Sequence, residues 1–179
     1  MKIKDKEFVT FVGEGELQSI VERLAGEVNR DYGVGRDTPL VVCPILTGAY
    51  MFAADLLRRL AVPCRVSFVR YASYSGMASS GEVKCSLPFT PDVEGHDVLL
   101  VEDVVDSGFS MRRMLDAVWA LHPRSVRICT LFFKPEAFKG DFAVDYIGRN
   151  IGNEFIVGYG MDYDEMGRTL PEVYVVKDE

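Results

Sequence analysis

The sequence predicts an α/β domain: a mostly parallel central sheet flanked by helices, with a small β-rich hood. Two patterns carry this expectation. Apolar strand-like runs alternate with helix-like stretches over residues 14–133, as in parallel strands joined by crossover helices. Beyond residue 134 the apolar runs are short and follow one another through loops, which suggests a separate β-rich appendage. At 179 residues the chain fits one domain, 1–179, with a core over about 8–133 and a hood mainly over about 134–179.

The elements follow in order. Residues 8–12 form a short apolar patch, and Leu17, Ile20, Val21, Leu24 and Val28 then recur at helical spacing over about 14–31. Gly33, Gly35 and Pro39 punctuate the chain before a strand over 40–46, a Gly-containing turn, and a helix over 50–60. A strand is predicted over 64–71, a small-residue loop over 72–81 and a short strand over 83–87. After a turn at 91–95 come a buried strand beginning at Val98, a helix running through Trp119 and a strand over 125–133. Short runs at 142–147, 155–159 and 173–176 complete the chain.

Residues 98–110 hold the chemistry. Val98 to Val101 is a continuous apolar run that predicts a strand buried on both faces. The strand is expected to end at Glu102 and Asp103, and Asp106 follows. Three carboxylates so close together repel one another and resist desolvation. A divalent cation, a polyhydroxylated ligand or open solvent must compensate. Ser107, Gly108 and Ser110 then lead into the helix, where free N–H groups, hydroxyls and the positive end of the helix dipole make an anion site. Acids for hydroxyls or metal, followed by a phosphate cradle, point to a phosphorylated sugar. The plainer alternative is that Asp106 or Ser107 merely caps the helix.

Bulk properties narrow the class. A net charge of −7 with no basic stripe argues against nucleic acid as the main partner. No apolar run is long enough to span a bilayer, and the first residues lack a signal-peptide core. Cys43, Cys64, Cys85 and Cys129 form no C-x-x-C pair and sit in or beside apolar stretches, so reduced buried thiols and a cytoplasmic location are expected.

The stretch from Val98 to Ser110 resembles the phosphoribosyl-pyrophosphate signature of the type I phosphoribosyltransferases. Three further stretches narrow the likeness: Leu46-Thr47-Gly48-Ala49 after the first parallel strand, Ser73-Tyr74 in a Gly/Ser-rich loop, and the C-terminal set. That set is Phe133-Lys134-Pro135, then Phe155 to Tyr163, then Arg168, and it is similar to the hypoxanthine and hypoxanthine-guanine group. The resemblance covers roughly residues 8–176 and implies the type I phosphoribosyltransferase fold. It implies transfer of a phosphoribosyl group from 5-phospho-α-D-ribose 1-diphosphate to N9 of hypoxanthine or guanine. Mg²⁺ is the implied cofactor, and a homodimer or homotetramer the implied assembly.

The resemblance also implies roles. Glu102 and Asp103 meet the ribose hydroxyls and the metal, and Asp162 is expected to accept hydrogen bonds or to hold a second Mg²⁺ through water. Asp106, Ser107, Gly108, Phe109 and Ser110 hold the 5-phosphate, and Asp106 is the acid/base partner of purine N7. Thr47, Gly48 and Arg168 face the pyrophosphate. Lys134, Phe155, Ile156 and Asp162 line the purine site, with Ser73 and Tyr74 closing over it. The residue types agree: an ammonium only donates, which suits a 6-oxo group and not a 6-amino group. Phe155 offers a stacking face, and Arg168 a fork for phosphate oxygens. Taken singly, each also has a plain structural role as a strand-end Lys, a core aromatic, a turn Asp or a surface ion pair.

Two positions depart from the family pattern. Thr47 stands where many relatives carry Lys, and Phe109 occupies a variable position of the phosphate loop, where little consequence is expected. The family also has a cis peptide before residue 47. Competing expectations are a phosphoribosyltransferase for xanthine, adenine or a pyrimidine, a nucleic-acid-binding regulator on the same fold, and a structural α/β protein.

Overall fold

The computed structural model describes residues 1–33, 35, 37–71, 85–87 and 92–177. The chain opens with β1 (Lys2–Ile3) and β2 (Lys6–Val12), then enters α1 (Glu14–Tyr32). The helical-period residues Leu17, Ile20, Val21, Leu24 and Val28 are all buried, so one covered stripe holds the helix. Next come β3 (Leu40–Leu46) and α2 (Tyr50–Leu57). The apolar spacing predicts this helix to residue 60, but it stops earlier. The N–H groups of Arg59 and Leu60 reach back only to Leu56 and Leu57, a tightened last turn that releases the chain.

The stretch 64–71 forms two strands and not one. β4 (Cys64–Val66) pairs with Leu40–Val42, while β5 (Val69–Tyr71) pairs with Ile45 and Leu46. Buried Ser67 between them donates its N–H to Val42 O at 2.9 Å. β6 (Cys85–Leu87) adds antiparallel to β5. The chain then builds β7 (Asp97–Val105), α3 (Phe109–Trp119), β8 (Ser125–Phe133), β9 (Tyr146–Asn150), β10 (Ile156–Val157) and β11 (Val173–Val176). β9 lies later than the 142–147 run predicts, because Phe142 packs edge-on against Phe138, ring centres 5.2 Å apart, and not into the sheet.

The large sheet has the order β6-β5-β3-β7-β8-β9, with β4 also on β3, and every pair but β5–β6 is parallel. Its faces are covered by different helices. Leu99 and Val101 point into a core with α1 and α2, and Val98 and Leu100 into one with Met111, Met114, Leu115 and Val118 of α3. All four β7 residues are fully buried, as expected of a strand enclosed on both faces. The hood is an antiparallel sheet, β1-β2-β11-β10, around Ile3, Phe8 and Val157. It draws residues 2–12 from the start of the chain, while β9 belongs to the large sheet, so the two sheets do not divide near residue 134. Cys43 and Cys129 are buried free thiols, and burial pushes the Cys43 thiol up to about 12. Among the described residues no helix is long and apolar enough to cross a membrane.

A polar tie joins α1 to the sheet. Arg127 of β8 donates to Asp31 at 2.7 Å, and Tyr146 of β9 donates to the same oxygen at 2.9 Å. The Tyr146 hydrogen bond, followed by the Arg127 guanidinium, outweighs desolvation and holds the Asp31 carboxyl below the usual range. A depressed folded pKa stabilises above the unfolded value of about 3.9, and that stability is lost as pH falls through the folded value. Asp31→Asn is therefore expected to flatten the fall of Tm on acidification below about pH 4. Thermal unfolding across that window checks this, and parallel curves for both proteins would contradict it.

Candidate active site

Three loops meet at the carboxyl ends of adjacent parallel strands. From β3 the chain turns to β4 and β5 on one side, and later to β7 on the other. Ligands of open α/β sheets bind in the crevice at such a reversal. The loops after β3, β7 and β8 carry Thr47-Gly48, Asp106–Ser110 and Lys134 respectively.

The acids are set by strand and not by loop. β7 runs on to Val105, with Glu102, Val104 and Val105 in register with Thr130, Phe132 and Phe133 of β8. The strand therefore does not stop at Glu102 as the sequence suggested, because pairing with β8 carries it past the polar pair. This fixes Glu102 and Asp103 on a rigid element. The Asp103 carboxylate accepts the Val104 N–H at 2.8 Å. Burial first, and neighbouring Asp103 second, push the Glu102 carboxyl well above its ordinary range. Gly48 lies directly against Asp103: a Cβ at residue 48 would overlap the carboxylate. The peptide between Leu46 and Thr47 is cis, as the resemblance implies.

Asp106 and Ser107 lead into α3, whose N-cap is Gly108 in the left-handed conformation, φ 85°. Neither Asp106 nor Ser107 caps the helix, since no side-chain cap bond is made. The helix starts at Phe109, earlier than its apolar spacing alone suggests, so the first-turn N–H groups face the loop. Behind the loop stand Phe138 and Phe142, which a Cβ at Gly108 would strike. Ser107 O also accepts the Lys139 N–H at 3.0 Å. A cavity of about 100 Å³ is lined by Glu102, Asp106, Ser107, Gly108 and Ser110 among others. A wider hollow of about 270 Å³ at the opposite end of the sheet contains Asp97. There the carboxylate is already gripped by Arg124 at 3.0 and 2.5 Å.

Lys134 is 12% exposed and Asp106 56% exposed, and they pair at 3.4 Å. Lys134 Nζ also donates to Glu154 O at 3.0 Å. Phe155 is 47% exposed and meets the Tyr163 ring edge-on, centres 5.6 Å apart. Tyr163 is itself held by Asp5, which accepts its hydroxyl at 2.7 Å. Ile156 is buried in the main core, so its side chain serves packing and only its main chain can border a purine. Arg168 donates to Gly160 O at 2.9 Å and to Asp162 at 2.7 Å. Asp162 also accepts the Glu165 N–H at 2.7 Å, so it combines turn and ion-pair roles. Phe109 is 69% exposed on the first turn of α3, Ser110 is exposed, and Thr47 is exposed on its loop. Ser73 and Tyr74 lie outside the described residues.

Tyr163, which meets the Phe155 ring, is not among the residues that the sequence singles out.

The donor set fits Mg²⁺. Two adjacent carboxylates, one of them costly to ionise alone, suit a cation that takes one or two carboxylates and fills its shell with water and substrate phosphates. Among the described residues no group of three or more His, Cys, Asp or Glu converges on one point. Such a pair suits a cation that arrives with its substrate.

The phosphoribosyl transferase domain profile matches residues 14–164. The chain belongs to the phosphoribosyltransferase family. It is 37% identical over 178 residues to a hypoxanthine-guanine phosphoribosyltransferase of Aquifex aeolicus, covering 99% of each chain. Among solved structures, a hypoxanthine-guanine phosphoribosyltransferase of Bacillus anthracis superposes with a TM-score of 0.87 at 34% identity, over 97% of this chain and 100% of that one. A hypoxanthine phosphoribosyl transferase of Trypanosoma cruzi gives 0.88 at 34% identity, over 99% and 94%. Within the family the chain groups with the hypoxanthine-guanine members.

Proposed function

We propose that Glu102 and Asp103 at the end of β7, the loops at 47–48, 106–110 and 134, and the hood residues Phe155, Asp162 and Arg168 form the catalytic site of a purine-salvage enzyme. The enzyme moves the 5-phosphoribosyl group from 5-phospho-α-D-ribose 1-diphosphate to hypoxanthine and guanine, giving the nucleoside monophosphate and pyrophosphate. The observation that carries the site is the 3.4 Å pairing of Lys134 with Asp106 across the mouth of the β7 and β8 loops. One side chain donates to the purine 6-oxo group, and the other takes proton density from N7 as N9 attacks.

The remaining chemistry is positioning and charge. The N–H groups of residues 107–110 and the Ser107 and Ser110 hydroxyls hold the 5-phosphate. Glu102 and Asp103 bind the ribose hydroxyls. Phe155 stacks on the base, and Thr47, Gly48 and Arg168 face the departing pyrophosphate. Glu102 and Asp103 would hold Mg²⁺, and Asp162 a second Mg²⁺ through water; when bound, the metal offsets diphosphate charge. Ser73 and Tyr74 are assigned to closing the site against water. The chain works as one domain, in the cytoplasm, as a homodimer or homotetramer. A study of the Trypanosoma cruzi enzyme addresses how its C-terminal region affects oligomeric state and activity, which supports an assembly here.

Pyrophosphate release with each purine in turn, with and without Mg²⁺, tests the proposal. Release with hypoxanthine and guanine, and only with the metal, is expected. Release with adenine alone would overturn it. Lys134→Ala should raise KM for hypoxanthine by roughly 10–100-fold while leaving the affinity for phosphoribosyl diphosphate within about threefold. Equal losses on both substrates would make Lys134 merely structural.

A further inference from the structure

Gly158, Tyr159 and Gly160 have φ values of 104°, 49° and 106°. A tyrosine in the left-handed region persists only where its surroundings hold it. Tyr159 is 2% exposed, and its hydroxyl donates to Asp55 Oδ2 at 2.5 Å. Asp55 lies on α2, the helix that leaves the Thr47-Gly48 loop. Gln18 of α1 donates to the same oxygen at 3.1 Å, and Arg59 holds Gln18 Oε1 at 2.6 Å. Burial works to raise the Asp55 carboxyl, but the Tyr159 and Gln18 hydrogen bonds outweigh it and leave it below its ordinary range. Burial first, and Asp55 second, push the Tyr159 hydroxyl up. The pair is a neutral phenol bonded to a charged carboxylate, the stronger class of hydrogen bond.

The other side of this segment touches the site. A Cβ on Gly160 would overlap Gly48 O, so the two backbones are in contact. The Gly160 N–H donates to Arg168 O at 2.9 Å, and Gly160 O accepts Arg168 Nη1 at 2.9 Å. Tyr50, at the start of α2, donates its hydroxyl to Arg168 O at 3.2 Å.

We infer that Asp55 and Tyr159 are a positioning pair for the pyrophosphate end of the site. Their bond seats the 158–160 segment on the Gly48 carbonyl and thereby sets where the Arg168 guanidinium stands. This rests on the assignment of Arg168 and the 47–48 loop to the pyrophosphate. Thr47 brings no charge to that end, so the guanidinium carries more of the load, and small displacements of it weaken diphosphate binding.

Tyr159→Phe keeps the ring and removes the hydroxyl. KM for phosphoribosyl diphosphate is expected to rise about tenfold, with KM for hypoxanthine within about twofold. Asp55→Leu should reproduce this split, and Asp55→Asn, which still offers the phenol an oxygen, should recover most of the affinity. The Asp55→Leu/Tyr159→Phe double variant should be no worse than either single one. Tm is read on every variant, and if Asp55→Leu does not fold, Tyr159→Phe against Asp55→Asn carries the test. A lowered Tm with both KM values unchanged, or an equal rise in both, would overturn the inference. Arg168→Gln separates the two levels. If it leaves KM for phosphoribosyl diphosphate unchanged, the pyrophosphate assignment fails and the inference with it. If it raises that KM while Tyr159→Phe does not, only the positioning role fails.

Discussion

Asp106→Asn should lower kcat by about 10²–10⁴-fold, the usual contribution of a positioned proton acceptor. The substitution preserves shape and hydrogen-bond reach but removes the capacity to take a proton from purine N7. Asp106 is well placed for that work. It sits one residue beyond the end of β7, is exposed to an incoming base, and is 3.4 Å from the Lys134 ammonium. Because the side chain makes no helix cap, its loss should cost little stability. KM for phosphoribosyl diphosphate should change much less than kcat. Unchanged turnover in steady-state assays would remove Asp106 from the chemistry.

Gly48→Ala is expected to lower kcat/KM for phosphoribosyl diphosphate by about 10²-fold, the scale of a 1 Å misplacement. The reason is spatial. The new methyl would occupy the position of the Asp103 carboxylate, so either the loop or the acid must move. Asp103 is tied to the Val104 N–H and sits where β7 is still paired with β8, so the loop is expected to give way. Its displacement is expected to shift Thr47 and to break the contact with Gly160. Overpacking of this kind costs about 1–3 kcal/mol, so the variant should still fold. Tm measured beside kcat/KM checks both halves, and wild-type kinetics would show that the 47–48 loop has room to spare.

What could be read in the sequence follows from what is local. The run Val98 to Val101, the Ser-Gly helix start and the helical stripe of α1 each declare themselves within a few residues, and each is found as expected. Lys134, Phe155 and Arg168 are isolated residues whose meaning came from the spacing of the whole set. Long-range pairing was not legible. Nothing near Glu102 signals that β8 will extend β7 to Val105, and nothing near residue 6 signals that β2 will join β11 in the hood. The Asp55–Tyr159 bond joins residues far apart in the chain, so only the folded structure brings it out. Ile156 shows the opposite limit: the resemblance places it at the purine site, while its side chain packs into the core and leaves its main chain to border a base.

The most direct test is a crystal structure of the enzyme with inosine 5′-monophosphate. The phosphate should lie within hydrogen-bond distance of the N–H groups of residues 107–110, the ribose hydroxyls beside Glu102 and Asp103, and the base between Phe155 and Lys134. A nucleotide seated elsewhere, for example in the hollow beside Asp97, with the loop after β7 empty, would contradict the account.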